Sequence, residues 1–200
     1  MSDNEQIQRI IDDMGGVART ADFNMAGYTN TTVSEWCRRG LIVRIRSGYY
    51  ALPQADQREE EIIAKLFPDG IVCQDSALFH YGYSDKAPLE WYLAFTRTVT
   101  RSRFRIDYPP VRYFMVQQNI FGLGKAIGDW NGVQLAVYDR ERTICDCFKR
   151  RSQMDNETFV KAINAYAADE KKNLHNLSQY AKQLHVYRKV IELMEVILGG

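Results

Sequence analysis

No run of apolar residues in this 200-residue chain approaches the roughly 20 needed to cross a bilayer. The amino terminus also lacks the apolar segment of a secretory leader, carrying Asp3, Glu5, Asp12 and Asp13 instead. Together these absences predict a cytoplasmic protein. Cysteine is sparse and unpatterned. Cys37, Cys73, Cys145 and Cys147 show no disulfide framework, and their only close pair is C-x-C, so reduced structural thiols are expected rather than a zinc site. An excess of one charge is missing as well. The 26 Lys and Arg against 25 Asp and Glu leave a net charge of +1, which neither favours nor excludes nucleic acid, because binding surfaces are local. The chain has no internal repeat and no low-complexity segment.

Catalytic signatures are equally thin. Gly122 to Lys125, GLGK, resembles the end of a phosphate loop. The Walker pattern also requires a Gly five residues earlier and a hydroxyl residue after the Lys, but Ala126 follows Lys125 and no Gly stands at or beside Gln118. Ser76 and His80 lie one helical turn apart, but a single helix seldom gives triad geometry, and Asp75 reads as a helix cap. His80, His175 and His185 share no metal-ligand spacing with the cysteines. Asp139, Glu141 and Asp146 fall in the first turns of an expected helix, where acids are favoured by the helix dipole. No catalytic residue, metal or cofactor is expected.

What the chain does have is periodicity. Ile7, Ile10, Ile11 and Met14 form the stripe of an amphipathic helix that stops at Gly15-Gly16. Thr20 is placed to cap a short second helix, with Asp22 in its first turn and Gly27 beyond its end. A third helix follows, capped from the Thr29-Asn30 region, with Val33, Trp36 and Cys37 facing inward and Gly40 closing it. Leu41, Val43 and Ile45 then alternate with Ile42, Arg44 and Arg46, and Ser47-Gly48 turns the chain into a second strand, Tyr49 to Leu52. Three short helices and a hairpin make a winged helix-turn-helix module. Pro53 and the polar stretch Gln54 to Gln57 end it, and Arg58 to Phe67 reads as a charged connecting helix.

Downstream, Ser76 to His80 predicts a short helix, and Trp91 to Arg97 and Val111 to Val116 predict strands. Asn131-Gly132 predicts a hairpin turn before the alternating Val133, Leu135 and Val137. Helical patterns run from Asp139 to the end. The fold expected is α+β: an amino-terminal winged helix-turn-helix, residues 1–55, then a mixed α/β carboxy-terminal domain, residues 56–200, ending in a helical bundle.

The third helix is the candidate DNA reader. With Val33, Trp36 and Cys37 inward, Thr31, Ser34, Glu35 and Arg38 face outward and present groups that hydrogen-bond base edges and phosphates. Asn30 and Thr32 at its amino end, Arg39 at its last turn, and Arg44, Arg46 and Ser47 on the hairpin complete the candidate DNA-binding set. Between Gly27 and Leu52 four arginines stand against one acid, and every cation there is Arg, whose planar fork suits phosphate and guanine. The dipole alone would also place cations in a last turn, and winged modules also dock proteins. A second basic patch comprises Arg97, Arg101, Arg103, Arg105 and Arg112, with Phe104 and Tyr108 interleaved and Asp107 the one acid. It either extends a DNA footprint, contacts another nucleic acid, or is a solvated loop.

The stretch from Gly15 to Leu52, GGVARTADFNMAGYTNTTVSEWCRRGLIVRIRSGYYAL, resembles the amino-terminal winged helix-turn-helix of AbiEi-type antitoxins. These are the regulatory partners in abortive-infection toxin-antitoxin pairs. Gly40, Leu41, Val43, Arg44, Gly48, Tyr50 and Ala51 match the run. CQDSALFHYGYSD is similar to the family's Ser-Ala-Leu helix, and VYDRERTICDCF to its strand-to-helix junction, where Arg142, Thr143 and Asp146 fit Arg-Thr-x-x-Asp. The resemblance implies an amino-terminal module that binds operator DNA and represses its own operon. It also implies a carboxy-terminal domain that counters a nucleotidyltransferase-like toxin, usually without a stable complex. A stand-alone transcriptional regulator with a ligand-sensing carboxy-terminal domain is the second expectation, and a nuclease the third.

Overall fold

The computed structural model describes residues 2–53 and 58–198. The expected linker, Gln54 to Gln57, lies outside the described residues. The chain forms two compact units. One comprises residues 1–68 with 100–111 and 129–133, and the other comprises 69–99, 112–128 and 134–200.

The first unit opens with α1 (Asp3–Asp13), whose Ser2 and Glu5 form a reciprocal capping box. After Gly15 and Gly16, both left-handed, come β1 (Ala18–Arg19), α2 (Thr20–Met25), α3 (Asn30–Arg38), β2 (Val43–Arg46), β3 (Tyr49–Ala51) and α4 (Glu59–Leu66). Thr20 is the first residue of α2 and not its cap. That role falls to Arg19, whose N–H donates to the Asp22 carboxylate at 2.7 Å. Thr29 caps α3, its hydroxyl accepting from the Thr32 N–H.

Ile7 and Ile11 of α1, Phe23 of α2, and Val33 and Trp36 of α3 bury against Ile42 and Leu52 in one core. Trp36 is its centrepiece, meeting Phe23 edge-on at 5.9 Å and Tyr28 at 4.7 Å between ring centroids. The strands form a sheet in the order β1-β3-β2, so the hairpin read from the sequence is the greater part of a three-stranded wing. Two residues are too few to show an alternation, and β1 had no sequence signal for that reason.

Beyond α4 the chain adds β4 (Ile71–Val72), α5 (Gln74–His80), β5 (Trp91–Thr96), β6 (Val111–Val116), α6 (Gln118–Phe121), β7 (Lys125–Trp130) and β8 (Val133–Tyr138). It ends in α7 (Arg140–Lys149), α8 (Asn156–Ala168), α9 (Leu174–Gln183) and α10 (Tyr187–Leu198). The five strands run in the order β6-β5-β4-β8-β7, with β4 antiparallel to β5 and parallel to β8. Asn131 and Gly132 join β7 to β8 with φ of 52° and 87°, the conformation an Asn-Gly hairpin turn needs. Ile144, Phe148, Phe159, Ile163, Tyr166, Leu177, Leu184, Val190 and Met194 close the helical core. The fold is thus α+β, with a winged helix-turn-helix followed by a mixed domain that ends in packed helices.

One buried polar knot sits at the start of α7. Arg142, 2% exposed, pairs with Asp146 at 3.1 Å, donates to the Ile120 and Leu123 carbonyls at 2.7 and 2.9 Å, and lies 4.1 Å over the Tyr138 ring. Thr143 donates its hydroxyl to the Tyr138 carbonyl. The Arg-Thr-x-x-Asp motif therefore ties α7 to β8 and to the turn after α6. A Cβ on Gly124 would stand 2.5 Å from that of Arg142, and the glycine's φ is +70°, so both space and backbone call for Gly in GLGK.

Replacing Arg142 by Met strands a buried carboxylate and two carbonyls. The expected loss is on the order of 3–5 kcal/mol, read as a fall in the urea midpoint at unchanged slope.

Candidate nucleic-acid interface

The inward seat of Val33 and Trp36 leaves Asn30, Thr31, Ser34 and Arg38 of α3 and its C-cap Arg39 exposed, with Thr32 and Glu35 half-buried. Two of these are already engaged at the helix start. Asn24 donates to the Asn30 side chain at 3.0 Å, and the hydroxyls of Thr29 and Thr32 lie 3.0 Å apart. Arg38 makes a forked ion pair with Glu35 at 2.8 Å, and Arg39 reaches Asp3 at 3.0 Å. Both pairs are solvent-exposed and worth at most about 1 kcal/mol each, so an incoming phosphate competes with them readily.

The wing carries the remaining candidates. Arg44 is exposed and makes no ion pair among the described residues, whereas Arg46 stacks on the Tyr49 ring at 4.0 Å. Ser47 and Gly48 form the turn, Gly48 at φ +75°. The β2–β3 register shifts between Arg44 and Arg46, which makes Ile45 the extra residue of a bulge. Ile45 turns fully inward, and its carbonyl accepts the Asp107 N–H at 2.7 Å.

That bond docks the 100–111 segment on the wing. The segment begins with the 3-10 turn Arg101–Phe104, whose Phe104 stacks on Phe67 at 6.1 Å, while Arg103 donates to the Leu66 carbonyl at 3.1 Å. Arg101 and Arg105 remain exposed. The two outer members of the sequence-read patch belong to the other unit. There Arg112 pairs with Glu90 at 2.7 Å and Arg97 is exposed. The five arginines thus divide: Arg103 bonds a backbone carbonyl, Arg112 is exposed but paired with Glu90, and Arg97, Arg101 and Arg105 face solvent without an ion pair among the described residues.

Arg19 was missed in the sequence. It pairs across the sheet with Tyr49 and reaches solvent beside the wing, with its guanidinium on Asp22 at 3.1 Å. The Asp three residues on was the available signal. The Arg19 side chain holds the nearly buried Asp22 carboxyl below the usual carboxylate range, overcoming the upward push of burial.

The carboxylates of α7 and its cap each hold hydrogen-bond partners. Asp139 caps α7 at the Arg142 N–H, Glu141 accepts from Tyr166 and from the Asn173 N–H, and Asp146 holds Arg142. Cys73 rather than Asp75 precedes α5 at its amino end, which corrects the expected cap. Burial raises the Asp75 carboxyl, and Tyr92 is its hydrogen-bond partner. Ser76 is spent accepting the Tyr92 N–H at 3.0 Å. Among the described residues no group of His, Cys, Asp and Glu could hold a metal ion, and no helix is long and apolar enough to cross a membrane.

A depressed carboxyl pKa stabilises the fold above its unfolded value, and the contribution disappears as pH falls through the folded value. The first unit is therefore expected to lose stability as pH drops below about 4, and Asp22→Asn to flatten that limb of the stability-pH curve. Urea titrations of both proteins between neutral and acidic pH check this.

Residues 5–53 match a family described as transcriptional regulator, AbiEi antitoxin. No curated protein matches. Among solved structures, the RV2827C protein from Mycobacterium tuberculosis superposes with a TM-score of 0.67 at 15% identity, over 96% of this chain and 79% of that one, a likeness of fold. Over residues 5–53, from within α1 to the end of the β2–β3 hairpin, the chain is similar to the transcriptional regulators of the AbiEi antitoxin family.

Proposed function

We propose that the protein is a cytoplasmic, non-enzymatic antitoxin that binds operator DNA, represses its own operon and counteracts a nucleotidyltransferase-like toxin. The observation that carries this reading is the exposed polar face of α3 standing in one module with an arginine-bearing wing, within the segment that matches the antitoxin regulator family. In this reading α3 enters the major groove. Thr31, Ser34, Glu35 and Arg38 meet base edges there, with Asn30 and Thr32 at the helix start and Arg39 at its end near the backbone. Arg44, Arg46 and Ser47 lie along the flanking phosphates, and Arg101 and Arg105 extend that contact, because their segment is hydrogen-bonded to β2. Glu35 serves two ends: it holds Arg38 in the absence of DNA and can accept from a cytosine amino group in its presence.

Residues 1–55 carry the DNA function in this assignment, joined by the 101–105 turn, and the rest of 56–200 carries the antitoxin function. Neutralisation does not require a stable complex with the toxin.

Arg44→Ala and Arg38→Ala are expected to weaken binding to the DNA upstream of the protein's own gene while leaving the thermal midpoint within a few degrees. Each lost phosphate contact lowers the salt slope by about 0.9, and a lost base contact costs about 1–3 kcal/mol and relaxes preference at one position. Gel shifts across a salt series separate the two cases. Unchanged affinity in both variants would remove the module from DNA binding.

Charge reversal at Arg101 and Arg105 together should reduce operator affinity at low salt and leave the preferred sequence unaltered. Growth on co-expression with the neighbouring gene product, with and without the residues after Pro53, reports on the antitoxin half. Rescue by the amino-terminal module alone would contradict it.

A further inference from the structure

The second unit contains a cavity of about 390 Å³, within the range of roughly 300–1,000 Å³ that small-molecule sites occupy. Its wall is strongly cationic. Arg97, Arg142, Lys149 and Arg150 reach it, and Asp146 is the one carboxylate. Arg142 and Asp146 offset each other in the buried pair described above, and the Asp146 carboxylate is already occupied by that guanidinium. Arg97, Lys149 and Arg150 are left without an acid at ion-pair distance among the described residues. Arg97 and Lys149 are exposed, and Arg150 is laid over the Phe114 ring at 4.1 Å. The arrangement holds the Arg150 fork in place without neutralising it.

These three cations have no ion-pair partner among the described residues, and two of them, Lys149 and Arg150, act on the Asp146 carboxylate from a distance. On one concave wall they repel one another and focus positive potential into the cavity. A ligand with several negative charges relieves that repulsion, and two guanidinium forks with an ammonium suit phosphate oxygens. Elsewhere the lining includes the amide groups of Gln117 and Asn119 beside apolar Val116 and Ile120, with His185 also on the wall. These suit an uncharged ring with hydrogen-bonding edges. We propose that this cavity binds a nucleoside di- or triphosphate, its phosphates on Arg97, Lys149 and Arg150 and its nucleoside against the amide-lined wall. The site stands apart from the DNA reading, which rests on residues of the first unit.

Isothermal titration of the full chain with ATP, GTP, CTP, UTP and pyrophosphate tests it. Saturable one-to-one binding of at least one nucleotide is expected, weakened at least about tenfold in the Arg97→Ala/Lys149→Ala double variant. Both side chains are exposed, and an unchanged thermal midpoint will confirm that the variant is folded. Absence of saturable binding by all four nucleotides, or equal affinity in the variant, overturns the proposal. Pyrophosphate binding as tightly as the best nucleotide overturns the assignment of a nucleoside. Operator affinity of the double variant in nucleotide-free buffer should match that of the parent protein, so the failure of one reading is distinguishable from failure of the other.

Discussion

Trp36 sets the rotation of α3 about its own axis, and the candidate interface depends on that setting. Its ring is enclosed by Phe23 and Tyr28, with Val33 one turn away in the same core. A helix anchored by two large side chains on one stripe has a single low-energy roll, because any other would expose an aromatic ring and bury a guanidinium. Thr31, Ser34 and Arg38 face solvent as a consequence. Their exposure follows from the burial of their neighbours.

The same coupling recurs in the second unit with polar chemistry. The Arg142 guanidinium spends its donors on Asp146 and two carbonyls and its flat face on Tyr138. A buried cation is tolerated where all of these are met, because desolvation is offset by several charge-assisted bonds at once. The close approach this demands leaves no space for a side chain at Gly124. A glycine-lysine pair that looks like part of a phosphate loop thus owes its glycine to helix packing.

Arginines are the most ambiguous letters in this sequence, and the structure sorts them by partner. Arg103 and Arg142 bond backbone carbonyls, Arg112 faces Glu90, Arg19 holds Asp22, and Arg38 and Arg39 sit in exposed pairs. Arg44 is left open. Charge counting along the chain treats all of these alike. Arg19, Arg38 and Arg142 meet acids three or four residues away, whereas Arg39, Arg103 and Arg112 are told apart from a cation available to phosphate only by partners remote in sequence.

The winged helix-turn-helix was legible because each of its elements is local. A stripe of isoleucines, glycines at helix ends and an alternating arginine strand are read within a few residues of one another, and the family resemblance rests on the same run. The Asn-Gly hairpin and the helical carboxy-terminal third were legible for the same reason. Local signals did not reach the two-residue strands β1 and β4, the bulge at Ile45, or the docking of 100–111 on β2. These depend on hydrogen bonds between residues tens of positions apart, and the free carbonyl that Asp107 meets exists only once the wing has formed. By itself, then, the sequence determined the winged module, the inward stripe of α3 and the α+β class, because periodicity and turn chemistry are written locally. Tertiary structure decided the partners of Arg39, Arg103 and Arg112 and which basic turn accompanies the wing, because those contacts are settled between residues the sequence keeps apart.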